Sequence, residues 1–170
     1  TLLNLNASHL TPSTQMAMNH PGEIAYLARI TRPSVALVTN AQRAHLEGMG
    51  TIEMIATEKG SVFVELDPQG VAVFLADDQW AALWRKQCAD RRIMNYSFEH
   101  PADVTGRYLT HGLENQLEIS VGGEQIEVSL AWPGAHNARN ARGAATVAVA
   151  AGVALFAVRD GLNTFEGMKG

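Results

Sequence analysis

Thr39–Glu65, TNAQRAHLEGMGTIEMIATEKGSVFVE, sets a polar loop directly after a short apolar run and follows it with a helix whose apolar face carries a lysine. The run before it, Ser34 to Val38, is rich in β-branched residues and reads as an interior strand. In the helix, Thr51 suits the N-cap, and Ile52, Ile55, Ala56, Val62, Phe63 and Leu66 recur at helical spacing. Lys59 falls on that same face, four residues after Ile55, so its amine points toward whatever the helix packs against. Spacing alone fits a lysine that lays its carbon stem along the core while the ammonium reaches water. The alternative is a half-buried amine with a lowered pKa, which can react with carbon dioxide to give a carbamate, a carboxylate able to bind metal. His45 lies in the loop leaving the carboxyl end of the strand, where open α/β sheets place their ligands, although a lone histidine is more often structural.

A second polar motif stands far along the chain. Pro133–Asn140, PGAHNARN, leads into the alanine-rich ARGAATVAVAAGV, a strong helix signal closed by Gly152. Asn137 reads most simply as a helix cap, with Asn140 about one turn later on a similar face.

The longer run ALVTNAQRAHLEGMGTIEMIATEKG resembles the signature of the Mur ligases, and PGAHNARN resembles that family's GxHNxxN segment. The resemblance implies that His45 and a carbamylated Lys59 help hold Mg2+ beside the phosphates of ATP, as the catalytic and metal-binding pair. It further implies that His136, Asn137 and Asn140 hold the adenine, with Asn40 among the nucleotide contacts. Within the family the match is to the branch that joins D-alanyl-D-alanine to UDP-N-acetylmuramoyl-tripeptide. There ATP phosphorylates the tripeptide carboxylate and the dipeptide amine attacks the acyl phosphate, in peptidoglycan precursor synthesis.

The amino-terminal part departs from that pattern. Thr1 to Leu5 is apolar enough to end a helix, but Ala7 to Gln15 is polar and broken by Pro12, where the family has a buried strand. In QMAMNHPGEI, Gln15 stands where the family's magnesium-binding glutamate would be, and a neutral amide binds magnesium more weakly. NHPGEI otherwise matches the family's helix start beside the substrate channel, which implies substrate contacts from Asn19 and Glu23. The residues themselves predict a helix from about Pro21 to Ile30, capped by Asn19, with Glu23 well placed against the dipole. Leu75, in LADD, replaces the asparagine of the family's NADD.

Between the motifs, Val71 to Leu75 reads as a buried strand, ADDQWAALWRKQC as a helix with Trp80, Leu83 and Trp84 on its apolar side, and Arg92 to Phe98 as a strand. Asp103–Thr110, Gln116–Val121 and Gln125–Leu130 alternate polar with apolar, and Gly122-Gly123 marks a hairpin. A final helix is predicted from Ala154 to about Thr164. The expected fold is therefore α/β: a three-layer nucleotide-binding domain with a mostly parallel sheet flanked by helices, plus a smaller antiparallel sheet.

With 170 residues, 46% of them hydrophobic, the chain can bury one sizeable core. No stretch is long enough to span a membrane, and without a basic region followed by an apolar segment among the first residues no export is expected. The single cysteine, Cys88, excludes an internal disulfide and suits the cytoplasm. A net charge of −4 argues against a nucleic-acid surface. The resemblance covers residues 1–170 as a Mur ligase central, ATP-binding domain, expected as a monomer. It is expected to be incomplete on its amino-terminal side, without the family's UDP-binding and carboxyl-terminal domains. No Gly-Lys-Ser or Gly-Lys-Thr turn occurs in the sequence. Two functions follow: part of the ligase, or a catalytically inactive relative that binds nucleotide weakly or serves as an interaction module.

Overall fold

The computed structural model describes residues 12–41, 49–111, 114–131 and 133–165. His45, the 1–5 segment read as a helix end, and residues 166–170 lie outside the described residues. In chain order the elements are α1 (Glu23–Thr31), β1 (Val35–Val38), α2 (Ile52–Val64), β2 (Val71–Leu75), α3 (Ala81–Cys88) and β3 (Arg92–Tyr96). Then come β4 (Val104–Thr105), β5 (Tyr108–His111), β6 (Glu114–Val121), β7 (Glu124–Ser129), α4 (Ala135–Ala150) and α5 (Leu155–Asn163).

β1, β2 and β3 pair in parallel, with Val35 opposite Val71 and Val71 opposite Arg92. The segment Asp103–Thr110, read as one strand, is two, β4 and β5, and the antiparallel strands continue the same sheet. β3 pairs in parallel with β4 at Tyr96 and Val104, and β4 then pairs antiparallel with β6. β5 and β7 pair antiparallel with β6, the latter through the hairpin turn at Gly122 and Gly123, both at positive φ. One seven-stranded mixed sheet results.

Alternation along β2 divides the core. Ala72 and Phe74 face a cluster with Ala28, Ile55, Phe63 and Trp84 from α1 to α3, while Val71, Val73 and Leu75 face one with Met94, Ala138, Ala145 and Val158. Helices on both faces explain why all five β2 residues are buried and why the strand reads as a continuous apolar run. Phe74 packs tilted against Phe63 and edge-on to Trp84, at centroid distances of 5.8 and 6.0 Å. The indole N–H of Trp84 donates to the Ala56 carbonyl at 3.0 Å, so that ring is buried without an orphaned donor. Cβ on Gly60 would lie 1.9 Å from Gln87 Oε1 and 2.7 Å from Trp84 Cδ1, so α2 and α3 approach through that glycine. Cys88 is fully buried, and burial pushes its thiol up to about 11.

Two of the expected helix caps are not made. Thr51 caps α2 as expected, accepting the Met54 N–H at 3.1 Å. Asn19, however, does not cap α1. The helix begins at Glu23 after Gly22 at φ 90°, and the Gly22 and Ile24 N–H groups go to the Glu58 carboxylate instead. Nor does Asn137 cap α4, whose N-cap is Gly134. The Asn137 amide donates back to the Pro133 carbonyl at 2.9 Å, because the asparagine lies inside the first turn. Residues 12–18 form no regular element, and Pro12 to Gln15 are exposed. No helix among the described residues is long and apolar enough to cross a membrane.

Candidate functional site

The parallel strands β1 to β3 end on a common edge, and Lys59, Asp77 and Asp78 gather there. Lys59, in the middle of α2, is half-buried and its Nζ donates to the Asn40 carbonyl at 2.8 Å, just past the end of β1. Of the two positions that spacing left open, the amine takes the one turned toward the sheet. Burial lowers its pKa, and the nearby Asp78 carboxylate offsets part of that shift. Asp78 also accepts the Trp80 N–H at 2.9 Å, which turns the chain from β2 into α3.

Beside Lys59 an open cleft of about 390 Å3 is lined by Leu75, Asp77, Asp78, Gln79, Phe98, Glu99 and Arg139. Asp77 anchors its floor. The carboxylate accepts the Ser97 hydroxyl at 2.7 Å and the Phe98 N–H at 3.0 Å, and its Oδ1 lies 2.7 Å from His100 Nδ1. Burial by itself would raise the Asp77 pKa, but the bonds from Ser97, Phe98 and His100 together hold it below the usual carboxylate range. The Ser97 oxygen in turn accepts the N–H groups of Glu99 at 3.1 Å and His100 at 2.7 Å. Its proton is committed to Asp77 and its lone pairs to the backbone, so Ser97 fixes the loop after β3 and is not poised as a nucleophile.

Arg142 of α4 lies beneath this loop, fully buried. Its guanidinium donates to the Ser97 carbonyl at 2.7 Å and sits 3.6 Å from the centre of the Phe98 ring. Burial brings its pKa down to about 10, with Asp77 and Tyr96 opposing the shift, so it remains charged at neutral pH. Arg142 therefore fixes the start of α4 against the end of β3. On that start His136 and Asn140 are exposed, Asn137 is half-buried, and Arg139 turns into the cleft.

The amino-terminal candidates stand at the start of α1. The Glu23 carboxylate accepts the N–H groups of Asn19 and His20, and its Oε1 lies 3.2 Å from His20 Nδ1. Those bonds, led by the one from Asn19, bring its pKa down to about 2, so Glu23 stays ionised. The structure thus brings Lys59 and Asn40 into contact and places Arg139 of the second motif in the cleft with Asp78. Gln15 is exposed, and no described contact joins it to Lys59. Among the described residues no group of three or more His, Cys, Asp and Glu side chains could hold a metal. Sequence reading missed Asp77, Ser97, Glu58 and Arg142. Only Glu58 left a signal, since it lies three residues after Ile55 on the buried face.

A parallel sheet with a lysine amine at its carboxyl edge and a polar helix start across a cleft has the arrangement of an open α/β domain that places its ligand at the strand ends. A family model described as the Mur ligase middle domain matches residues 13–148, and the chain belongs to that family. The UDP-N-acetylmuramoyl-tripeptide–D-alanyl-D-alanine ligase of Escherichia coli (strain K12) is 33% identical over 174 aligned residues, covering all of this chain and 38% of that protein. The crystal structure of MurF from Acinetobacter baumannii superposes with a TM-score of 0.92 at 30% identity, covering 99% of this chain and 37% of that one. A UDP-N-acetylmuramate–L-alanine ligase of Saccharopolyspora erythraea is 36% identical over 143 residues, 81% of this chain and 29% of that protein. The chain thus spans little more than a third of the length of the MurF relatives it matches.

Proposed function

We propose that this chain is the middle, ATP-binding domain of an ATP-dependent amide ligase that joins D-alanyl-D-alanine to UDP-N-acetylmuramoyl-tripeptide in the cytoplasm. The reading rests on one observation above the others: the Lys59 amine is half-buried, has a lowered pKa and is turned to the carboxyl edge of the sheet at Asn40. Likeness to the E. coli ligase along the whole chain supports the choice of substrates.

In this reading the γ-phosphoryl group of ATP passes to the tripeptide carboxylate. The free amine of D-alanyl-D-alanine then attacks the acyl carbon, forming the amide and releasing inorganic phosphate. No protein nucleophile takes part, so the domain works by positioning and by charge. A lowered pKa raises the neutral fraction of Lys59, which adds to carbon dioxide with loss of a proton and becomes a carbamate. That group keeps one N–H, so its bond to the Asn40 carbonyl can survive the change. Carbamylated Lys59 and His45 would hold Mg2+, with Gln15 as a weak third donor. Such a sparse donor set suits an ion that keeps several waters and takes phosphate oxygens. When bound, the ion offsets charge on the transferring phosphoryl group. His136, Asn137 and Asn140 would receive the adenine, with Arg139 and Asp78 along the cleft between. Asn19 and Glu23 would contact the tripeptide substrate.

Calorimetric titration of the chain with Mg-ATP tests the nucleotide site. The expected result is magnesium-dependent binding that is lost in His45→Ala, with intact mass under bicarbonate showing one added carbon dioxide that is absent in Lys59→Ala. The chain by itself is expected to release no phosphate from ATP, tripeptide and dipeptide, because its sequence lacks a Gly-Lys-Ser or Gly-Lys-Thr turn to cradle the phosphates. No heat at all would favour the second reading, a catalytically inactive monomeric module. Gln15 in place of a carboxylate and the buried Leu75 in place of a polar residue motivate that alternative.

A further inference from the structure

Glu58 precedes Lys59 on α2 and is 8% exposed, yet its carboxylate serves another helix. Oε2 accepts the Gly22 N–H and Oε1 the Ile24 N–H, each at 2.9 Å. These are donors that the start of α1 cannot satisfy within itself, and a carboxylate there is also favoured by the helix dipole. The far ends of the same two helices are joined by Arg29 and Glu65 at 2.8 Å. Glu23 accepts two further donors of the turn, those of Asn19 and His20. Four N–H groups that would otherwise suit a substrate phosphate are thus occupied by the protein's own carboxylates.

We propose that Glu58 is a positioning residue of the ligase site, tying the turn 19–24, with its candidate substrate residues, to the turn of α2 that carries Lys59. This rests on the reading given under Proposed function. Neighbouring side chains on one helical turn point in different directions. Lys59 therefore reaches the sheet edge while Glu58 reaches α1, and the substrate turn is held in register with the reactive amine. The turn presents Asn19 and the ionised Glu23, a hydrogen-bond acceptor, to its ligand, and so takes donor groups of the tripeptide and not an anionic one.

The test combines hydrogen exchange on the 170-residue chain with steady-state kinetics of the whole ligase that contains it, for Glu58→Ala and Glu58→Gln. In Glu58→Ala the Gly22 and Ile24 amides are expected to exchange at least tenfold faster. The KM for UDP-N-acetylmuramoyl-tripeptide is expected to rise at least fivefold, while the KM for ATP stays within twofold. Glu58→Gln, which keeps one acceptor oxygen, recovers part of both effects and covers the case in which the alanine variant fails to fold. Unchanged exchange at both amides in the two variants would overturn the tether. Faster exchange with an unchanged tripeptide KM, or an equal rise in both KM values, would overturn the positioning role. An unsubstituted ligase that forms no amide would instead overturn the functional reading beneath it, a failure that the exchange data do not share.

Discussion

α1 and α4 both begin after a glycine at positive φ beside the candidate site, and they satisfy their first turns in opposite ways. At α1 two carboxylates, one from the helix itself and one from α2, occupy the free N–H groups. At α4 no side-chain cap is present and the first turn carries no acidic residue. Its Gly134 N–H goes to the Tyr108 hydroxyl at 2.9 Å, and His136 and Asn140 stay exposed. The closed start is suited to holding a turn still, whereas the open one is suited to receiving a ligand. What keeps the open start rigid is lodged deeper, in Arg142.

The largest break in this contrast is expected from Arg142→Ala. It removes the donor to the Ser97 carbonyl and the stacking on Phe98 and empties a buried site, at a cost on the order of 4 kcal/mol. Urea unfolding would measure it, and a loss no greater than that of a surface substitution would mean that α4 is anchored some other way. Glu58→Ala should cost less, about 2 kcal/mol, because water can reach Gly22 once the carboxylate is gone. A midpoint shift equal to that of Arg142→Ala would erase the distinction between a helix cap and a core anchor.

Acid sharpens the comparison further. The Asp77 pKa is held below its ordinary value of 3.8, so its contribution is complete above that value and is lost as pH falls through the lower folded-state value. Asp77→Asn should flatten part of the loss of stability in that acid range, read from urea midpoints at successive pH. An unaltered profile would show that the loop after β3 does not depend on the charge. Smallest in stability is Asn140→Ala, expected within about 0.5 kcal/mol because the side chain is exposed. Its effect should appear in Mg-ATP affinity alone, and a clear drop in melting temperature would make it a structural residue of the open start.

Some of this was legible in the chain. The spacing of Ile55, Lys59, Val62 and Phe63 put the lysine on the buried face, and the structure turns its amine to the sheet edge. Gly122-Gly123 located the β6–β7 hairpin, because few other residues accept the backbone angles of so tight a turn. Arg142 was not legible. An arginine in an alanine-rich run looks like a solvated position, and its acceptor lies 45 residues earlier at Ser97. Glu58 stood on the correct face, but the donors it serves belong to residues 34 and 36 positions away.

The sequence by itself determined most of the elements, their periodicity, the apolar strands and the two polar motifs, because each depends on neighbours within a few residues. Only the tertiary structure decided that the parallel and antiparallel strands form one sheet, that Lys59 meets Asn40, and that Glu58 and Arg142 are buried with partners. Buried polar groups need hydrogen-bond partners, and when those partners come from distant segments, local pattern carries no trace of the choice.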